Sequence, residues 1–140
     1  MEFPVTAAFV GAVLIIMQQV LMVSAGRHRA RAQLGVGFGS DQDLERKIRR
    51  HGNLAENAAL FLIVLSFAEG FSGGGWATTF IGILFLAARI SHAIAFSSLS
   101  GSHGQEDGVR IFGLCRMAGA LGTALSGVAL GVYLLALLLT

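Results

Sequence analysis

The chain has 140 residues, 54% of them hydrophobic and 13% charged, with a mean hydropathy of +0.71 and a formal net charge of +2. Charged residues at roughly half the globular norm of ~25% exclude a disordered chain and argue against an ordinary soluble domain. The single cysteine, Cys115, excludes an intrachain disulfide framework and a four-cysteine zinc site.

A bilayer-spanning helix needs ~20 mostly apolar residues. The first such stretch, 5–25, carries no charge. Its apolar run is too long for a cleaved signal peptide, and its basic residues Arg27, Arg29 and Arg31 follow it rather than precede it. It is read as a retained helix. The connection after it contains Gly35, Gly37 and Gly39. A phosphate-binding loop needs a preceding strand and a following lysine, so this run reads as a flexible connection.

The second apolar stretch, 54–71, is interrupted by Glu56 and ended by Glu69. Its helix begins earlier, because Ser40-Asp41-Gln42-Asp43 offers an N-cap with acidic residues in the first turn. A charged extension therefore projects from the membrane. The glycine-rich run 70–75 reads as a turn. The third stretch, 76–96, carries Arg89 and His92. After a Gly- and Ser-rich connection comes the fourth, uncharged over 117–140 and starting near Asp107. Gly119, Thr123, Gly127 and Gly131 recur in it every four residues, a small-residue stripe suited to close packing within a bundle or between subunits. The spacing predicts helices over about 4–26, 42–70, 76–97 and 107–139. Together they make one all-α domain over 1–140, an integral membrane protein built as a four-transmembrane-helix bundle.

Seven of the ten Lys and Arg residues lie between the first and second apolar stretches, and Arg110 and Arg116 lie at the start of the fourth helix. The positive-inside rule then places both termini away from the cytoplasm. The basic balance is topological, and nucleic acid is excluded as a partner.

Ionisable groups within a span need a partner or a cavity. Arg46, Arg49, Asn53 and Glu56 step by three or four and share a helical stripe, as do Arg89, His92 and Phe96. One reading pairs Glu56 with Arg89 as a neutralising ion pair. The other makes a pocket of Asn53, Glu56, Arg89 and His92, rimmed by Arg49 and Arg110. Such a pocket suits a small polar molecule with carboxylates, which arginine holds bidentately, and an ammonium group for Glu56. His28, His51, His92 and His103 are scattered, with no i, i+4 pair, and no metal site is expected. Cys115 reads as a packing residue.

The string 40–56, SDQDLERKIRRHGNLAE, resembles the signature of the MAPEG family, the membrane-associated proteins in eicosanoid and glutathione metabolism. Ala88-Arg89-Ile90-Ser91-His92, followed by Phe96, strengthens the likeness, which looks most like the bacterial YecN-like inner-membrane branch. The resemblance implies a left-handed four-helix bundle assembling as a homotrimer. It implies glutathione bound between neighbouring subunits near the cytoplasmic mouth, and lipophilic small molecules and membrane lipids as further partners. Carried over by position, Arg49 and Asn53 hold glutathione's polar backbone, and His51 is a contact in some members. Glu56 meets the amino group, Arg89 is the buried arginine, and His92 and Phe96 are contact positions. Arg29 is favoured, over Arg27 and Arg31, as the arginine that reaches a carboxylate.

Arg110 matches the helix-four arginine that faces the sulfur, with Arg116 as the fallback register. It is expected to stabilise a thiolate that attacks an electrophile arriving from the lipid. The sequence departs from the family pattern at Asn57 and Ala59, where Tyr and Pro are common. Phe96, Ile111 and Leu114 also lack hydroxyls found in relatives. The expected function is a membrane glutathione transferase or peroxidase. The alternative is a non-catalytic protein of the same fold that binds lipid or another ligand. A small proton-coupled exporter is disfavoured, since the first helix has only Gln18 and Gln19 where that class needs an embedded acid.

Overall fold

The computed structural model describes residues 3–99 and 109–139. Four helices account for most of them: α1 (Val5–Arg31), α2 (Gln42–Ser72), α3 (Trp76–Ala95) and α4 (Arg110–Leu139). Each is long and apolar enough to cross a membrane. Helices adjacent in sequence pack most extensively, α1 on α2 and α3 on α4, and α2 joins the two pairs.

The helix ends follow local chemistry. The side chain of Asp41 caps α2 by accepting from Leu44 N at 2.9 Å, as its place before an acidic first turn predicts. Gly73 ends α2 in the left-handed conformation with φ 73°, and Gly74 and Gly75 continue the turn at φ 80° and 131°. Only glycine adopts that run of positive φ without strain. The opening of α1 has no side-chain cap of its own. Glu69 supplies one from α2, its carboxylate accepting from Thr6 N at 3.0 Å and Ala7 N at 2.7 Å. The carboxylate is thus set against the positive end of the α1 dipole.

Three boundaries differ from the hydropathy reading. α1 remains helical through Arg31, past the end of its apolar run, so its arginines project from a helix rather than a loop. α2 runs on to Ser72, and α3 stops at Ala95, making Phe96 its C-cap. The expected start of α4 at 107 lies outside the described residues.

Val10 and Leu14 of α1, Leu54 and Leu65 of α2, Phe85 of α3 and Leu130 of α4 form the centre of the core. Phe61 stacks on Phe85 with ring centroids 3.6 Å apart. Much apolar surface stays outside this core. Along α4, Leu121, Leu125, Val128, Val132 and Leu135 are all exposed. A continuous apolar face of this kind is stable in hydrocarbon and unstable in water.

The small-residue stripe of α4 divides in two. A Cβ built on Gly119 would lie 2.7 Å from His92 N, and one on Gly122 would lie 2.9 Å from Ala88 Cβ, so these glycines bring α3 and α4 together. Gly127 and Gly131 face open space.

Candidate functional site on the polar faces of α2 and α3

The charged extension of α2 presents Arg49, Asn53 and Glu56 along one side. Arg49 is exposed and donates from Nε to Glu45 Oε1 at 2.9 Å, one helical turn earlier. Asn53 donates from Nδ2 to Arg49 O at 3.0 Å, and Asn57 donates to Asn53 O at 2.8 Å. Glu56 is exposed at the edge of an apolar groove of about 250 Å³ between α2 and α4, walled by Leu60, Phe61, Thr123 and Leu130.

Arg89 sits on the opposite side of this seam. It is 3% exposed and donates from Nη1 to Asn53 O at 3.2 Å, while its Nε is buried without a partner. The anticipated ion pair between Glu56 and Arg89 does not form. The two side chains leave the α2–α3 seam on different faces. The arginine turns inward to a backbone carbonyl and the carboxylate turns outward.

At the end of α3 the His92 ring stacks on Phe96 with centroids 4.9 Å apart. Phe96 is 4% exposed, its carbonyl accepts from Arg46 Nη1, and Arg116 Cζ lies 5.4 Å from its ring centroid. α4 thus reaches the His92–Phe96 pair through Arg116, whereas Arg110 stands exposed in the first turn of α4. Ser91 ties the same two helices, donating to Cys115 O at 3.0 Å.

His51 faces α1, where Gln18 Nε2 donates to its Nε2 at 2.8 Å. Arg29 turns back onto its own connection, donating from Nη1 to Gly35 O at 3.2 Å. Within one chain, then, Arg89 meets α2 at the Asn53 carbonyl while the Arg49 side chain stays exposed on Glu45, and His92 and Phe96 group with Arg116. Glu56 and Arg110 point outward, and His51 and Arg29 belong to the α1 side.

Three polar features carry more of the architecture than the sequence reading assigned them. Arg46 is 7% exposed, pairs with Asp43 and binds Phe96 O, which ties the start of α2 to the end of α3. Its membership of the α2 stripe was the available signal. Lys47 Nζ bridges His28 Nδ1 and Asp43 Oδ2, each at 2.8 Å, and His28 Nε2 donates to Asp41 Oδ2 at 2.9 Å. The Leu44 N–H and the His28 contact hold the Asp41 carboxyl below its ordinary range. Glu69 is the third. It has no sequence signal, because a residue sixty positions away gives no pattern.

Residues 7–139 match the MAPEG family. No curated protein matches the chain.

Proposed function

The chain belongs to the MAPEG family, and on that premise we propose that this four-helix membrane bundle binds glutathione and transfers its thiolate to lipophilic electrophiles. The observation that carries the reading is the outward polar face of α2, where Arg49 and Glu56 stand exposed with the half-buried Asn53 between them, and Glu56 borders the apolar groove toward α4. Glu56 faces outward at the start of a span with no ion pair among the described residues, and a carboxylate there calls for a partner from outside. In a homotrimer, glutathione between subunits supplies it. Its ammonium group meets Glu56, its carboxylates meet Arg49 and Arg29 of adjoining chains, and its amides meet Asn53. His51, His92 and Phe96 complete the walls, and Arg89 braces α2 from behind through the Asn53 carbonyl.

In this reading Arg110 is the catalytic residue. Its guanidinium stabilises the thiolate and lowers the thiol pKa. The thiol proton passes to water. The sulfur lone pair then forms a bond to the electrophilic carbon as the leaving group departs with its electron pair. With a peroxide it bonds to one oxygen as the O–O bond breaks, the alkoxide leaves with the pair and takes a proton from water, and a second glutathione thiol reduces the resulting sulfenic acid to the disulfide with release of water. The site lies where the polar helix extensions meet the apolar spans, so a water-soluble thiol and a membrane-dissolved electrophile meet there. On this reading the protein lies in a bacterial inner membrane with both termini on the non-cytoplasmic side, a reading supported by its Lys and Arg distribution.

A second reading, binding without turnover, draws on one observation. Phe96 is buried beneath Arg116 and offers no hydroxyl, and Ile111 and Leu114 near Arg110 are exposed and apolar. Titration of glutathione into the purified protein separates the two. Thermal stabilisation with a thiolate absorbance that disappears in Arg110→Ala supports transfer chemistry. Stabilisation without thiolate supports the binding protein. Absence of stabilisation at millimolar glutathione overturns the transfer reading and leaves either a ligand other than glutathione or a purely structural role for Glu56 and Arg89.

A further inference from the structure

An open groove of about 960 Å³ lies between the C-terminal end of α1 and the first turns of α2. Toward the span the α1 side of the groove is apolar, with Val20 and Val23 both exposed. Toward the end of α1 the same side is cationic. Arg27 and Arg31 stand one helical turn apart on the same face of α1, with Lys47 opposite on α2. Arg29, half a turn away, is directed to Gly35 O and is not part of the lining. Lys47 is held by Asp43 and His28, and Asp41, the one carboxylate on the groove, is engaged by His28 and Leu44 N. Arg27 and Arg31 are exposed and make no ion pair among the described residues. Two guanidiniums with no ion pair among the described residues therefore face a groove that continues along the same side of α1 over the exposed apolar Ile16.

We propose that this groove is a site for an anionic phospholipid. The headgroup phosphate lies between Arg27 and Arg31, and an acyl chain runs along Val23, Val20 and Ile16. Guanidinium pairs hold phosphate oxygens bidentately, and basic pockets between helices at the membrane boundary select anionic headgroups. A soluble anion satisfies the arginines and leaves the apolar wall in water. A zwitterionic lipid covers the wall and brings its own cation to the arginines. The site uses neither Arg110 nor the Glu56 face, so it stands independently of the glutathione reading.

The test uses the full chain in detergent, with native mass spectrometry of retained lipid. Phosphatidylglycerol should be retained about tenfold more than phosphatidylcholine. That preference should vanish in the Arg27→Gln/Arg31→Gln double variant and persist in Arg27→Lys/Arg31→Lys. A second variant, Val20→Ser/Val23→Ser, leaves the charges in place and should weaken retention of both lipids. Equal retention of the two lipids, or a preference that survives the glutamine variant, overturns the proposal. Three further outcomes also overturn it. Competition by soluble glycerol phosphate assigns the groove to a free anion. Displacement of lipid by glutathione assigns it to the thiol site. A changed oligomer mass in the glutamine variant assigns it to a second copy of the chain.

Discussion

The Glu69 carboxylate accepts the Ala7 amide at 2.7 Å, so one helix of this bundle closes the open end of another. Glu69 is 4% exposed, and the amides it serves, those of Thr6 and Ala7, have no intrahelical acceptor at the first turn of α1. Glu69→Ala leaves both donors unsatisfied in apolar surroundings, at a cost of about 2–3 kcal/mol. Glu69→Gln keeps one accepting oxygen, so its loss should be intermediate. Thermal unfolding in detergent measures both. Glu69 lies about 30 Å along α2 from Arg49, so ligand affinity in the folded protein should not change. Equal unfolding temperatures for the wild type and Glu69→Ala would show that the cap contributes nothing.

The division of the α4 stripe yields a second contrast. Gly119→Ala places a methyl against the α3 backbone at His92, where nothing flexible can yield. The cost of parting the two helices is about 1–3 kcal/mol. Gly127→Ala adds a methyl where nothing lies within 4 Å, and helix propensity favours alanine by up to ~1 kcal/mol. The first variant should melt earlier than the wild type and the second should not. A large loss from Gly127→Ala would place a second copy of the chain against the α2–α4 groove.

The four spans and the Asp41 cap were legible because hydropathy and capping are local signals. Pairings across helices were not. Glu56 and Arg89 looked like partners because both are charges at depth, yet a helical stripe states only which residues share a face, not which face meets which neighbour. Arg89 met a carbonyl, a group that every residue carries and no sequence pattern marks. The extension of α1 to Arg31 was hidden for a related reason. Arginines end an apolar run without ending a helix, and only as a helix do Arg27 and Arg31 share a face that Arg29 does not. Glu69 read as the end of a span, whereas its role depends on where the first turn of α1 comes to rest.

Acid stability should report on Asp41. Its carboxylate is stabilised by the Leu44 N–H and by His28, so its folded pKa lies below the ordinary 3.8. A depressed carboxylate contributes stability that is fully present above the unfolded value and is lost as pH falls through the folded one. The wild type should therefore lose stability below about pH 4, and Asp41→Asn should lose less over that interval while starting from a lower plateau. Unfolding temperature followed from pH 7 to pH 3 gives the comparison, and parallel curves for the two proteins would remove Asp41 from the acid response.

Arg46 and Arg49 lie less than one turn apart and should separate stability from binding. Arg46 is buried, paired with Asp43 and bound to Phe96 O, so Arg46→Ala removes the tie between α2 and α3. A charge-assisted hydrogen bond of that kind contributes about 1.5–3 kcal/mol, and the unfolding temperature should fall. Arg49 is exposed, and its contact with Glu45 is a surface pair of one helix, worth under ~1 kcal/mol. Arg49→Ala should therefore leave the unfolding temperature nearly unchanged. On the glutathione reading it should weaken binding by about tenfold or more, the scale of one lost charge-assisted bond to a carboxylate. Calorimetric titration beside thermal unfolding distinguishes the two effects. If Arg49→Ala bound glutathione as tightly as the wild type, the outward face of α2 would not be the ligand face, and the reading built on it would fail even with the fold intact.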